Sequence, residues 1–218
     1  MITNDLERFT NDYFELLTGP YAGINLTRIN TKEEFKLKQI IDSIEPLNQS
    51  EIFSNLYQQK KLHLDIGFGG GFPLLPLAKL HHEVRHIGFE ARNKKVKVVG
   101  EIAAKLNLSN VRTYHHRIED VLIDLPCTCS FKAVGKVNDF LEKIRPYRTT
   151  IQVFFYKAKN FYEQEEEQLK KAQENWKIIE EKKIEIAGID RYLIGFENKN
   201  FIESSNNFNQ LVRLSELN

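Results

Sequence analysis

Apolar residues change their spacing partway along this chain. Over residues 3–18, Leu6, Phe9, Tyr13, Phe14, Leu16 and Leu17 recur mostly at helical intervals, which predicts an amphipathic helix stopped by Gly19-Pro20. Thr31-Lys32-Glu33-Glu34 has the form of a capping box, so a second helix is expected from there to about Glu45, with Pro46 marking its end. Residues 1–50 therefore read as a helical extension that packs on a main domain or covers its ligand. From Leu62 the pattern becomes an alternation of short apolar runs and helical segments. It predicts strand 62–66, helix 72–81, strand 86–90, helix 93–106, strand 111–114, helix 118–122, strand 131–135, helix 138–144, strand 151–156 and helix 163–174. Two longer strands follow, about 176–186 and 191–197, joined by Ala187-Gly188-Ile189-Asp190. So short a link cannot connect parallel neighbours, so this pair is expected to be an antiparallel hairpin. The expected fold is α/β: a doubly wound, mostly parallel seven-stranded sheet over residues 51–198, ending in that hairpin. Residues 199–218 read as a polar tail with a short helix at 208–216.

The stretch Leu62–Pro76, LHLDIGFGGGFPLLP, carries the most specific chemistry. Leu62, Leu64 and Ile66 alternate, Asp65 sits at the strand end, and Gly67, Gly69 and Gly71 recur at every second residue before a helix. Glycine tolerates positive φ and lets a ligand approach the backbone, and the helix start offers free N–H groups. A dinucleotide fingerprint needs G-x-G-x-x-G, but its third glycine would fall on Phe72. D-x-G-x-G-x-G from Asp65 to Gly71 fits throughout, and resembles the first motif of class I S-adenosylmethionine (SAM) methyltransferases. A second strand should then end in an acidic residue able to accept ribose hydroxyls, roughly 20 residues on. Glu90 meets that requirement.

Composition narrows the setting. The chain has 218 residues, enough for one domain with a full core, and 41% apolar with 28% charged residues argues against disorder. No apolar run reaches about 18 residues and the first residues are polar, so neither a membrane span nor a secretory signal is expected, and the expected location is cytoplasmic. Cys127 and Cys129 read as reduced thiols, and neither they nor His115-His116 have the spacing of a metal site, so no metal is expected. A net charge of +1 gives no global pull towards nucleic acid, although Arg92, Lys94, Lys95 and Lys97 cluster after Glu90.

Several short motifs, in order, are similar to those of the bacterial small-subunit ribosomal RNA guanine-N7 methyltransferases. Asn25-Leu26-Thr27 and Ile41-Asp42-Ser43-Ile44 resemble the N-terminal signatures of that family. Leu64–Pro76 resembles its D-x-G-x-G-x-G-x-P-x-x-P run, including Pro73 and Pro76. Lys94-Lys95-Val96, Leu106–Val111, Arg117-Ile118-Glu119-Asp120 and Asp190-Arg191-Tyr192-Leu193 resemble later segments. The resemblance implies SAM as cofactor, with Asp65, Gly67, Gly69, Gly71 and Phe72 around it, Glu90 on the ribose and Ile118-Glu119 beside the adenine. It implies ribosomal RNA in the small subunit as partner, with neither DNA nor membrane, and a monomer. Arg117 and Lys136 are the residues expected to meet the guanine through O6 or its flanking phosphates, because a cation on N7 would block the methyl. The chain departs from the pattern at Gly135-Lys136-Val137, where Ser/Ala-Arg-Ala is usual, and at Phe131, Gln39, Pro20-Tyr21 and Glu197. A divergent relative with another RNA or a small molecule as acceptor, or a SAM-binding protein without catalysis, is also compatible with these residues.

Overall fold

Leu62–Ile66 is buried at every position and forms β1, paired on both sides. β2 (Arg85–Phe89), β3 (Val111–Tyr114), β4 (Thr128–Lys132) and β5 (Gln152–Ala158) follow, and β6 (Trp176–Ile186) with β7 (Ile189–Asn198) completes the sheet. The computed structural model describes residues 4–203 and 210–217. Its seven-stranded sheet has the order β3-β2-β1-β4-β5-β7-β6, with β7 antiparallel to both neighbours and the other pairings parallel. The hairpin turn is tighter than the spacing suggested: Ala187 and Gly188, at φ 49° and 76°, close it alone, as a two-residue turn with both central φ positive requires. The strand order reverses between β1 and β4, which pair in parallel, so the connections leaving their carboxyl ends run to opposite sides and open a crevice.

The first helix, α1 (Asn4–Thr18), buries Leu6, Phe9, Tyr13, Phe14 and Leu17. Tyr13 stacks on Phe72 with ring centroids 5.1 Å apart, and Phe35 meets both rings edge-on at 5.6 and 5.7 Å. Such aromatic pairs contribute about 0.5–1.5 kcal/mol each beyond their burial. They fasten the N-terminal segment to the glycine turn after β1.

The second helical segment begins as expected, with Thr31 Oγ1 accepting from Glu34 N–H, but it does not end at Pro46. α2 (Lys32–Phe35) runs through a π turn (Lys36–Ile41) into α3 (Asp42–Gln49), with Pro46 inside. The π turn already spaces the backbone hydrogen bonds differently just upstream of the proline, where an α ladder would lose a bond. α4 (Glu51–Lys60) has no counterpart among the expected elements. Its signals are Ser50, whose Oγ accepts from Phe53 N–H, the buried pair Phe53 and Tyr57 four residues apart, and Lys61 in the left-handed region at the end.

α5 (Leu74–Leu80), α6 (Asn93–Lys105), α7 (Val137–Leu141) and α8 (Phe161–Ala172) lie close to their expected positions. The helix expected at 118–122 is instead one 3-10 turn, Ile118–Asp120, followed by a strand, Val121–Ile123. Those three consecutive apolar residues are all buried, and the strand pairs with Arg145–Pro146 and Val212–Arg213 in a small second sheet. Of the helix expected at 208–216, residues 208 and 209 lie outside the described residues. The remainder holds Val212–Arg213 and a 3-10 turn, Leu214–Glu216.

Two histidines inside the sheet give the fold a pH dependence. His63 is hydrogen-bonded with Thr128 and Ser130 at 2.9 Å, and His86 with Tyr57 and Asn110. Burial lowers both pKa values, that of His86 to about 3. In the unfolded chain imidazole protonates near pH 6.5, so below that pH the unfolded state binds more protons. Stability then falls as pH drops, by about 1.4 kcal/mol per pH unit for each histidine. Asp65 opposes this, because burial raises its carboxyl to about 7. Between about pH 4 and 7 its folded form holds the extra proton, so acidification favours the fold there. Two against one leaves a net loss of stability as the pH falls below about 6. Urea unfolding at pH 7, 6 and 5 reads this slope, and a flat profile would mean that the imidazoles ionise within the fold.

Candidate functional site

The crevice at the carboxyl ends of β1 and β2 is shaped by the glycine turn. Gly67, Gly69 and Gly71 have φ of 74°, 56° and 94°, a region that side chains other than glycine rarely adopt. Asp65 is buried beneath the turn, and one carboxylate oxygen accepts the Leu74 N–H at 2.7 Å, pinning the start of α5. Its Oδ1 is buried with no hydrogen-bond partner among the described residues. Gly70 is where the N-terminal segment touches the turn: a Cβ there would lie 2.5 Å from the Leu26 carbonyl oxygen. The Tyr13 hydroxyl donates to the Gly70 carbonyl.

Glu90, immediately after β2, sits in the cleft and is nearly buried. Its Oε2 accepts the Gly69 N–H at 3.1 Å and its Oε1 accepts the Arg92 N–H at 3.0 Å. One carboxylate thus ties the glycine turn to the start of α6. The cleft has a volume of about 380 Å³ and is lined on this side by Gly67, Gly69, Phe72 and Glu90. Leu26, Gln39, Phe68, Gly70, Arg92, Lys95, Lys132 and Ala133 complete the wall.

The expected site residues separate into four groups. Gly67, Gly69, Phe72 and Glu90 line the cleft, whereas Asp65 and Gly71 support its floor. Arg117, Ile118 and Glu119 lie on the loop after β3, outside that lining: Ile118 is core, and Arg117 is exposed with a loose 3.9 Å ion pair to Glu119. Lys136 is exposed at the start of α7 and is not part of this lining.

The basic side chain in the cleft wall between β4 and the N-terminal segment is Lys132, which the sequence reading did not single out. β4 ends at residue 132 rather than 135, so the basic side chain at the strand end is Lys132. Its Nζ lies 3.0 Å from Asp42 Oδ2 and 5.8 Å from the centre of the Phe72 ring. Burial pulls its pKa down, and the Asp42 carboxylate pushes it back up. Arg191 Nε donates to the other oxygen of Asp42 at 2.8 Å. The sequence signals were present in Asp42 and Arg191, both within family-like motifs, but their meeting is a tertiary fact. No nucleophile–base pair lines the cleft, so the geometry suits binding and alignment more than acid–base chemistry.

A sequence profile of the family described as rRNA small subunit methyltransferase G matches residues 6–193. The chain belongs to that family. It is 34% identical over 151 residues to the ribosomal RNA small subunit methyltransferase G of Streptococcus pneumoniae, covering 67% of this chain and 62% of that protein. To the Streptococcus gordonii protein of the same name it is 35% identical over 161 residues, covering 71% and 66%. The chain therefore spans a little under two thirds of the pneumococcal relative it matches. Among solved structures, the magnesium protoporphyrin IX methyltransferase of Synechocystis PCC 6803 with bound SAM superposes with a TM-score of 0.54 at 11% identity, covering 90% of this chain and 100% of that one. A SAM-dependent methyltransferase from Aquifex aeolicus gives 0.53 at 16% identity, covering 72% and 92%. At such identities these likenesses establish the class I methyltransferase fold of this family member.

Proposed function

We propose that this chain transfers a methyl group from SAM to N7 of a guanine in 16S ribosomal RNA of the small subunit. The observation that carries the reading is the Glu90 clamp on the glycine turn, placed in a cleft at the switch point of a chain in the methyltransferase G family. The residues fit the cofactor. A carboxylate offers about four acceptor sites, and Glu90 uses one on each oxygen for backbone N–H groups, leaving acceptors for the ribose hydroxyls. A Cβ at Gly69 would meet nothing closer than 3.8 Å, so the turn leaves space where a ligand would lie against its backbone.

When bound, SAM supplies a sulfonium that makes its methyl carbon electrophilic. Guanine N7 supplies an in-plane lone pair at neutral pH, so the protein need not remove a proton. Its task is to hold the acceptor in line and exclude water, an effect worth roughly 7–11 kcal/mol at best. Arg117 and Lys136, exposed on loops after β3 and β4, take the flanking phosphates, positioning the RNA without reading its sequence.

Transfer of labelled methyl from SAM to purified small subunits lacking the modification tests the reading, with the site mapped by cleavage selective for N7-methylguanine. Label at a single guanine is expected. Arg117→Ala and Lys136→Ala should raise KM for subunits by about fivefold each and leave kcat unchanged, as lost phosphate contacts do. Saturable SAM binding without label would mean that the acceptor differs or catalysis is lost.

A further inference from the structure

A second cleft, of about 280 Å³, opens beside the first between the π turn of the N-terminal helix and the ends of β4, β5 and β7. The two clefts share Gln39, Lys132 and Ala133, so they adjoin along these residues. Direct transfer between two bound molecules needs their sites to adjoin and open to each other, because the acceptor atom must approach the reacting carbon from the side opposite its leaving group. Pro46, Tyr156 and Tyr192 give the second cleft flat apolar faces, the surface on which an unstacked nucleobase packs. Its volume lies near the lower end of small-molecule sites, which suits one base.

The polar groups around it are unevenly committed. Lys157 is spent on Glu165 and the Gly135 carbonyl, both at 2.8 Å. Lys38 is paired with Glu34 on the surface. Lys132 and Arg191 share Asp42, leaving one net positive charge beside the place where the clefts meet. Of the three N–H donors of Lys132, only the one towards Asp42 has a close partner. The Lys38 carbonyl and Gln39 Oε1 are both 3.4 Å away, at the weak end of hydrogen bonding. Such contacts exchange readily for a better acceptor.

We propose that this second cleft receives the acceptor guanine, and that Lys132, oriented by Asp42 and Arg191, donates to O6 while N7 stays open. The proposal rests on the functional reading above. An ammonium has donors only. It is complementary to guanine O6, whereas adenine presents its N6 amino donors at the same edge. As a single-point donor Lys132 can engage O6 without occupying N7, whose lone pair forms the new bond. As that N7–carbon bond forms, the carbon–sulfur bond of SAM would break, S-adenosylhomocysteine would leave with the electron pair, and the ring would take over the positive charge of the sulfonium. Lys132 is on this account a positioning and specificity residue.

Three variants, Lys132→Met, Lys132→Arg and Asp42→Asn, test the assignment by kcat, subunit KM and affinity for S-adenosylhomocysteine. Lys132→Met should lower kcat by about 50-fold, the loss of one charged hydrogen bond with its alignment, and leave subunit KM and S-adenosylhomocysteine affinity within about threefold. Lys132→Arg should recover at least about tenfold of that loss, and Asp42→Asn should resemble Lys132→Met. A tenfold loss of S-adenosylhomocysteine affinity at unchanged kcat would assign Lys132 to the cofactor and overturn the proposal. Melting points that fall in parallel with activity in all three variants would reduce the trio to a structural ion pair, and also overturn it. A direct arm does not depend on ribosomal RNA being the substrate. Saturation transfer from the protein to H8 of GMP, with S-adenosylhomocysteine present, is expected for the wild type and lost in Lys132→Met. Should wild-type protein fail to label subunits yet give this Lys132-dependent signal, the ribosomal reading falls and the guanine cleft stands. Absence of signal, or an equal response from AMP, removes the cleft assignment.

Discussion

Glu90→Ala is expected to weaken SAM binding by about two orders of magnitude. A hydrogen bond to a charged group contributes about 1.5–3 kcal/mol, and two ribose hydroxyls sharing one carboxylate place the loss near 3 kcal/mol, on the order of 100-fold. The substitution also frees the Gly69 and Arg92 N–H groups that the carboxylate now holds, so the glycine turn loses its tie to α6. Calorimetric titration measures the dissociation constant directly, and melting of the unliganded protein separates that loss from unfolding. A constant within about threefold of wild type would show that the carboxylate serves the turn alone and that the ribose lies elsewhere.

Gly70→Ala is the second large effect, and it falls on a glycine outside the alternating Gly67, Gly69, Gly71 pattern. The added methyl carbon would sit 2.5 Å from the Leu26 carbonyl oxygen and 3.3 Å from its carbon. Both are backbone atoms, which cannot swing away as a side chain end can. The Asn25–Thr27 loop and the turn must therefore separate. Overpacking of this kind costs about 1–3 kcal/mol, or a melting point lower by roughly 3–10 °C for a chain of this size. SAM affinity should fall with it, since Leu26 lines the same cleft. A melting point and an affinity both unchanged would mean that the loop rests on the turn without load.

Much of this architecture was legible because β1 alternates Leu62, Leu64 and Ile66, β5 buries an apolar run from Val153 to Tyr156, and the hairpin announced itself by a link too short for anything else. β4 was harder. Its residues Thr128 and Ser130 are hydroxyl-bearing and read as loop, yet both sit inside the sheet because His63 on β1 offers each a hydrogen bond. Their polarity is satisfied laterally, by a strand over sixty positions away in sequence. That displacement of the strand puts Lys132, which the sequence reading passed over, at its end. Pro46 misled for a similar reason, since a proline ends an ideal α-helix and this one follows a π turn. Glu90 and the glycine turn were legible because their chemistry is local. The Asp42–Lys132–Arg191 cluster was not, because its members come from the N-terminal helix, β4 and β7.

The stacking of Tyr13 on Phe72, with its hydroxyl on the Gly70 carbonyl, has a thermodynamic corollary. Since the turn that faces the ligand is held from behind by α1, undocking of that helix and release of the ligand draw on one shared free energy. Linkage makes such coupling reciprocal: whatever factor a docked helix adds to ligand affinity, bound ligand adds to the docking of the helix. The opening segment of the chain then behaves as a second, internal ligand of the glycine turn. Slowed amide exchange in α1 on adding SAM is where that reciprocity becomes visible, and exchange indifferent to SAM would show that the two events are independent.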